Sequence, residues 1–144
     1  DWHDGFGLNF KITDIQSSLG LSQFSKLNMF IENKRKNLEI YRKNINNKEI
    51  SFIDFHEDEV PWFFDIVCSS KEYKEEIKEH LSKNNIETRD CYPALSFQNY
   101  LKEVEKTDLS HSEKISENIL WLPSSNALTK EEIETISNLI SNHS

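Results

Sequence analysis

The chain has 144 residues, 36% hydrophobic content, three glycines and a formal net charge of -8. That length suffices for one domain with a real core, but the apolar and glycine content is low for a complete α/β enzyme, whose cofactor domain uses glycine in tight turns and phosphate loops. The acidic balance argues against a nucleic-acid partner, because phosphate binding is driven by clustered positive charge; no apolar run is long enough to span a membrane, and a cytoplasmic location is expected.

In chain order, a loop with Gly5 and Gly7 delivers Asn9 between Leu8 and Phe10 and runs straight into a helix start. Thr13 and Gln16 have the spacing of a capping box, in which each side chain satisfies a free backbone N–H. Ile15, Leu19, Phe24, Leu27, Ile31, Leu38, Tyr41 and Ile45 recur at helical intervals with occasional slips. This predicts one long helix over 13–46, kinked at Asn28 or Asn33, with Lys34-Arg35-Lys36 and Arg42-Lys43 as its solvated face. Asparagines from Asn44 to Asn47 end it.

The β-branched and aromatic runs Ile50 to Phe55 and Trp62 to Cys68 read as strands. Between them, Glu57-Asp58-Glu59 reads as an exposed loop, since a cation needs converging oxygens. Ser69 with Glu72 is expected to cap a helix through Tyr73, Ile77 and Leu81 that ends at Asn84-Asn85. Ile86 to Arg89 reads as a third strand, and Tyr92 to Thr107 as a loop. Ser110 with Glu113 is expected to cap a helix through Ile115 and Ile119, and Thr129 with Glu132 the last helix, through Ile133, Ile136 and Ile140. Cys68 and Cys91 lack metal or redox spacing and read as free thiols. His56, His80, His111 and His143 are scattered, with no nucleophile at an obvious spacing, and no metal site is expected. The fold class is α+β, with a loop over 1–12, a linking helix over 13–46 and a small domain over 47–144.

The run GLNFKITDIQSSLGLSQ resembles the loop and helix start of the DegT/DnrJ/StrS family of pyridoxal-phosphate-dependent nucleotide-sugar aminotransferases. Their usual wording is close to G-(Y/F)-N-(Y/F)-R-M-T-(D/E)-I-Q-A-A-x-G-x-x-Q. The resemblance continues at Ile86-Glu87-Thr88-Arg89 with Tyr92-Pro93, and at Leu122-Pro123-Ser124-Ser125 ahead of Leu128-Thr129-Lys130-Glu131-Glu132-Ile133. It implies the linking helix and small C-terminal domain of a fold type I aminotransferase. The large cofactor domain, with its Schiff-base lysine, would lie upstream, so no catalytic residue is expected in this chain.

Residue by residue, Asn9 matches the asparagine given by one subunit to the cofactor phosphate of its neighbour, which implies a homodimer with shared active sites. A neutral amide can bind a phosphate oxygen without burying a charge; the alternative is an asparagine that only fixes the turn. Lys11 stands where the family has a phosphate-directed arginine and keeps the charge without the bidentate fork. Arg89 and Tyr92 match residues at the active-site mouth, where the guanidinium would meet a donor carboxylate or a sugar-nucleotide phosphate; a salt bridge to Glu87 or Asp90 is the alternative. Ser96 replaces a common histidine, and Trp2 and His3 precede the asparagine loop where family members carry aromatics near the sugar.

The implied reaction moves an amino group from glutamate to a nucleotide-linked keto-deoxy sugar on pyridoxal phosphate, with wording most like the perosamine type that serves cell-surface polysaccharide. A dehydratase of the same family and a non-catalytic interaction module stay open as alternatives.

Overall fold

The computed structural model describes residues 2–5, 7–8, 11–104 and 107–143. Two helices open it, α1 (Asp14–Phe24) and α2 (Leu27–Asn44). They are followed by β1 (Ile50–Phe52), β2 (Phe64–Cys68), α3 (Lys71–Lys83), β3 (Arg89–Asp90), two 3-10 turns (Leu95–Phe97 and Asn99–Leu101), α4 (Ser110–Asn118), β4 (Ile119–Leu122) and α5 (Lys130–Ser141). The four strands form one sheet in the order β1-β2-β4-β3, every neighbouring pair antiparallel. The architecture is α+β, as expected.

β4 was not foreseen. The four-residue spacing from Ile115 to Ile119 suits a helix, but α4 stops at Asn118, and Ile119 takes an extended conformation (φ -81°, ψ 134°). Ile119 to Leu122 are all buried, so the strand shows no alternation that could separate it from a buried helix. Side chains of directly paired residues share a face of the sheet. Phe64 with Leu122 and Ile66 with Leu120 therefore point to one side, where they meet Leu38 and Tyr41 of α2, Ile77 and Leu81 of α3, and Ile133, Ile136 and Ile140 of α5. Tyr41 is fully buried, and its hydroxyl donates to the Pro123 carbonyl at 3.1 Å.

The helix boundaries correct several expectations. The linking helix breaks at Ser25-Lys26, where the Lys26 N–H turns back to Gln23 O, and Asn28 and Asn33 lie within α2. Ser70, not Ser69, caps α3 by accepting the Tyr73 N–H. Leu109 precedes α4 without a side-chain cap, and Asp108 instead accepts the Ser110 N–H at 3.0 Å. Both capping boxes at Thr13 and Thr129 form. At the end of α3, Asn85 adopts φ 61°, and the amides of Asn85 and Ile86 return to Ser82 O and Leu81 O. This left-handed stop uses Ile86 in the helix end, and the strand starts only at Arg89.

The basic residues of α2 are more than a solvated face. Lys34 Nζ donates to Trp62 O at 2.7 Å, Arg35 to Glu57 O at 2.8 Å, and Arg42 to Ile53 O. These bonds tie the loop between β1 and β2 to the helix, which is why both strands are shorter than their apolar runs. Cys68 and Cys91 are free thiols, the first buried and the second half-buried, and burial pushes the Cys68 thiol up to about 11.

No residue of α1 is buried, whereas α5 contributes four buried residues. The two capping boxes should therefore differ in effect. Thr129→Ala is expected to lower the global unfolding free energy by about 1 kcal/mol, and Thr13→Ala to leave it unchanged within error, as read by urea denaturation of the 144-residue chain.

Candidate functional site

On the side of the sheet away from the core, register sets Arg89 opposite Trp121 and Trp121 opposite Asp65. The Trp121 indole Nε1 donates to Asp65 Oδ1 at 2.6 Å. Burial pushes the Asp65 carboxyl above its usual range, and this hydrogen bond opposes the shift. Phe63 lies flat on the indole, 3.8 Å between centroids and 4° between planes, while Tyr92 meets it edge-on at 4.9 Å. Trp121 itself is only 5% exposed.

Arg89 is exposed, with its guanidinium carbon 5.4 Å from the Tyr92 ring centroid and 5.7 Å from that of Trp121. It lines a groove of about 1210 Å³ that runs between residues 84–89 and α5, with Glu87, Glu131 and Glu132 also on its walls. Asp90 points to the opposite face, where it forms an ion pair with the Lys74 ammonium at 3.1 Å and accepts a hydrogen bond from Lys78. Partial burial of the Asp90 carboxyl is outweighed by those two ammonium groups, which hold it below the usual carboxylate range.

The residues singled out in the sequence fall into two neighbouring groups. Arg89 and Tyr92 are in contact, as described. The His3 backbone N–H donates to Oε1 of buried Gln98 at 3.0 Å. This fastens the N-terminal segment beside a cleft of about 620 Å³ lined by Trp2, Cys91, Pro93 and Ser96. Tyr92 lies between the groups in sequence. Lys11 is exposed ahead of α1, and no side-chain hydrogen bond or ion pair joins it to either group among the described residues. Asn9 lies outside the described residues. Among the described residues His56, Glu57 and Asp58 could bring donors together, but all three are exposed on the surface.

Sequence reasoning missed Asp65, Trp121, Phe63 and Gln98. A signal existed for Asp65, a charge inside the apolar run Phe64 to Cys68; Trp121 was hidden by the helix expected through Ile119.

Comparison with known proteins decides the lineage. The description of the DegT/DnrJ/EryC1/StrS aminotransferase family matches residues 1–141. The chain belongs to this family. It is 32% identical over 142 residues to the GDP-perosamine synthase of Escherichia coli O157:H7, a match that covers 92% of this chain and 36% of that protein. It is 27% identical over 150 residues to the GDP-perosamine synthase of Vibrio cholerae, covering 99% and 40%. The chain thus spans between a third and two fifths of these relatives. Among solved structures, Helicobacter pylori PseC, an aminotransferase of pseudoaminic acid biosynthesis, superposes with a TM-score of 0.78 at 22% identity, covering 94% of this chain and 38% of that one. A DegT DnrJ EryC1 StrS aminotransferase from Brucella abortus does so with 0.78 at 19% identity, covering 88% and 34%. These likenesses establish the fold. No helix among the described residues is long and apolar enough to cross a membrane.

The Asp90 pairs make stability acid-sensitive. Because the folded carboxyl titrates below its unfolded value of about 4, their contribution is present above that pH and lost as pH falls through the depressed folded value. Asp90→Asn should therefore lower stability at pH 7 and flatten its decline between pH 4 and pH 2, measured by urea unfolding across that range.

Proposed function

We propose that this chain is the C-terminal part of a pyridoxal-phosphate-dependent aminotransferase that moves an amino group from glutamate to a nucleotide-linked keto-deoxy sugar of the perosamine type. The observation that carries this reading is the family match over residues 1–141, which includes the asparagine loop, combined with 32% identity to a GDP-perosamine synthase. Arg89 supports it as the guanidinium in a groove that also carries Glu87, Glu131 and Glu132, the group there that could meet a phosphate or carboxylate. Tyr92, Ser96, His3 and Lys11 complete the proposed substrate contacts.

The described residues do not by themselves fit the whole cofactor. The described residues ahead of α1 are exposed, and a Cβ at Gly5 or Gly7 would meet no atom within 4 Å, so these residues form no enclosure. The part of this chain is limited to Asn9, whose amide would donate to the cofactor phosphate, and Lys11, whose ammonium would face substrate phosphate. Pyridoxal phosphate, when bound, supplies the electron sink for amino transfer; the groups that hold its ring and move protons belong to other segments.

A homodimer is part of the same reading, because Asn9 acts on the neighbouring subunit's cofactor. The exposed side chains of Ile15, Leu19, Leu21 and Phe24 on α1 supply apolar surface of the kind that subunit or domain contacts cover.

Incubation of the full-length protein with ¹⁵N-glutamate and a GDP-linked 4-keto-6-deoxy sugar should give a ¹⁵N-amino sugar detectable by mass spectrometry. No transfer under cofactor-saturated conditions would defeat the reading. Asn9→Ala in that protein should weaken cofactor retention by about 1 to 3 kcal/mol, measured by equilibrium dialysis. Unchanged retention would leave Asn9 as a turn residue.

A further inference from the structure

Asp65, Trp121 and Arg89 stand side by side across β2, β4 and β3. Each of these neighbours constrains the next. The 2.6 Å hydrogen bond from the indole to the Asp65 carboxylate fixes the direction of the Trp121 ring. Phe63 closes the ring with a parallel stack at 3.8 Å, and Tyr92 closes it edge-on. The Arg89 guanidinium then lies within cation–π distance of both Tyr92 and Trp121. A carboxylate hydrogen-bonded to the indole N–H also makes the ring more electron-rich, which strengthens its hold on a cation.

The choice of Asp65 has no explanation in packing alone. It interrupts a strand whose residues Phe64, Ile66 and Cys68 are buried in the core, and it shares its face with Val67, Ile119 and Trp121. A half-buried carboxylate in such a setting is unfavourable unless it is hydrogen-bonded, and its partner here is the indole N–H. Here that bond leads, through one ring, to the arginine beside the groove.

We propose that Asp65 and Trp121 are positioning residues that orient Arg89 toward a pair of anionic oxygens on a substrate of the reaction. This rests on the reading of Arg89 as a substrate ligand given above. The shared chemistry is a planar or tetrahedral oxyanion, supplied either by the sugar-nucleotide phosphate or by the donor carboxylate.

The test is a double-mutant cycle in the full-length, cofactor-loaded protein, with GDP-4-keto-6-deoxymannose and glutamate varied in turn. Trp121→Phe and Asp65→Asn should each raise one KM by about two- to tenfold with kcat nearly unchanged. In an Arg89→Ala background the same changes should have no further effect. A rise confined to the sugar nucleotide assigns the phosphate, and a rise confined to glutamate assigns the carboxylate. An equal rise in the Arg89→Ala background would overturn the proposal, since Trp121 and Asp65 would then act only on packing. So would an unchanged KM in Arg89→Ala, which leaves the aminotransferase reading intact. If the wild-type protein transfers no amino group, that reading fails separately, and the rate of Arg89 modification by phenylglyoxal, mapped by mass spectrometry, decides the positioning. Faster modification in Trp121→Phe upholds it, and an unchanged rate refutes it.

Discussion

The placement of β4 between β2 and β3 is the constraint on which the rest of this domain depends. With Leu120 opposite Ile66 and Leu122 opposite Phe64, the strand completes the apolar face on which α2, α3 and α5 pack. The same register sends Trp121 to the other face, between Asp65 and Arg89. A slip of one residue would turn every side chain over, burying an indole N–H among the helices and exposing two leucines. Burial of each large apolar side chain contributes about 1.5 to 3 kcal/mol, so core packing holds the register firmly. The positions of Asp65, Trp121 and Arg89 side by side are thus set by the register that the core holds, while their mutual contacts and those of Phe63 and Tyr92 fix the side chains.

The two faces of the edge strand divide the charges in the same way. Asp90 turns toward α3 and is held by Lys74 and Lys78, while its neighbour Arg89 turns outward beside the aromatic rings. Lys74 is 5% exposed and has its anion close by, as a buried ammonium requires. Asp90 is thereby committed to the lysines of α3, and the sequence alternative of an Arg89–Asp90 salt bridge is set aside by strand geometry. α1 has a different character. Its apolar residues Ile15, Leu19 and Phe24 are more than 60% exposed, in contrast to Leu38 and Tyr41 near the end of α2, which belong to the core.

Local chemistry was legible in the sequence wherever the determinant lay within a few residues. The boxes at Thr13 and Thr129, the stop at Asn84-Asn85 and the β-branched and aromatic run of β2 each depend on neighbours in the chain, and each formed. The motif wording led to the Arg89–Tyr92 pair and to the family. What escaped depends on distant partners. β4 is a strand because β2 and β3 flank it, and a buried four-residue apolar run has no period to report that. Ser69 and Ser70 offer the same cap chemistry, and it is the second that accepts the Tyr73 N–H. The break at Ser25-Lys26 carries no proline or glycine signal. Asp65 and Trp121 became visible only when paired strands brought residues separated by 56 positions to a 2.6 Å hydrogen bond.

Borohydride reduction of the full-length protein after incubation with pyridoxal phosphate, followed by intact mass and peptide mapping, tests the aminotransferase assignment most directly. A single pyridoxyl adduct on one lysine is the expected result. A folded protein that gives no lysine adduct would contradict it.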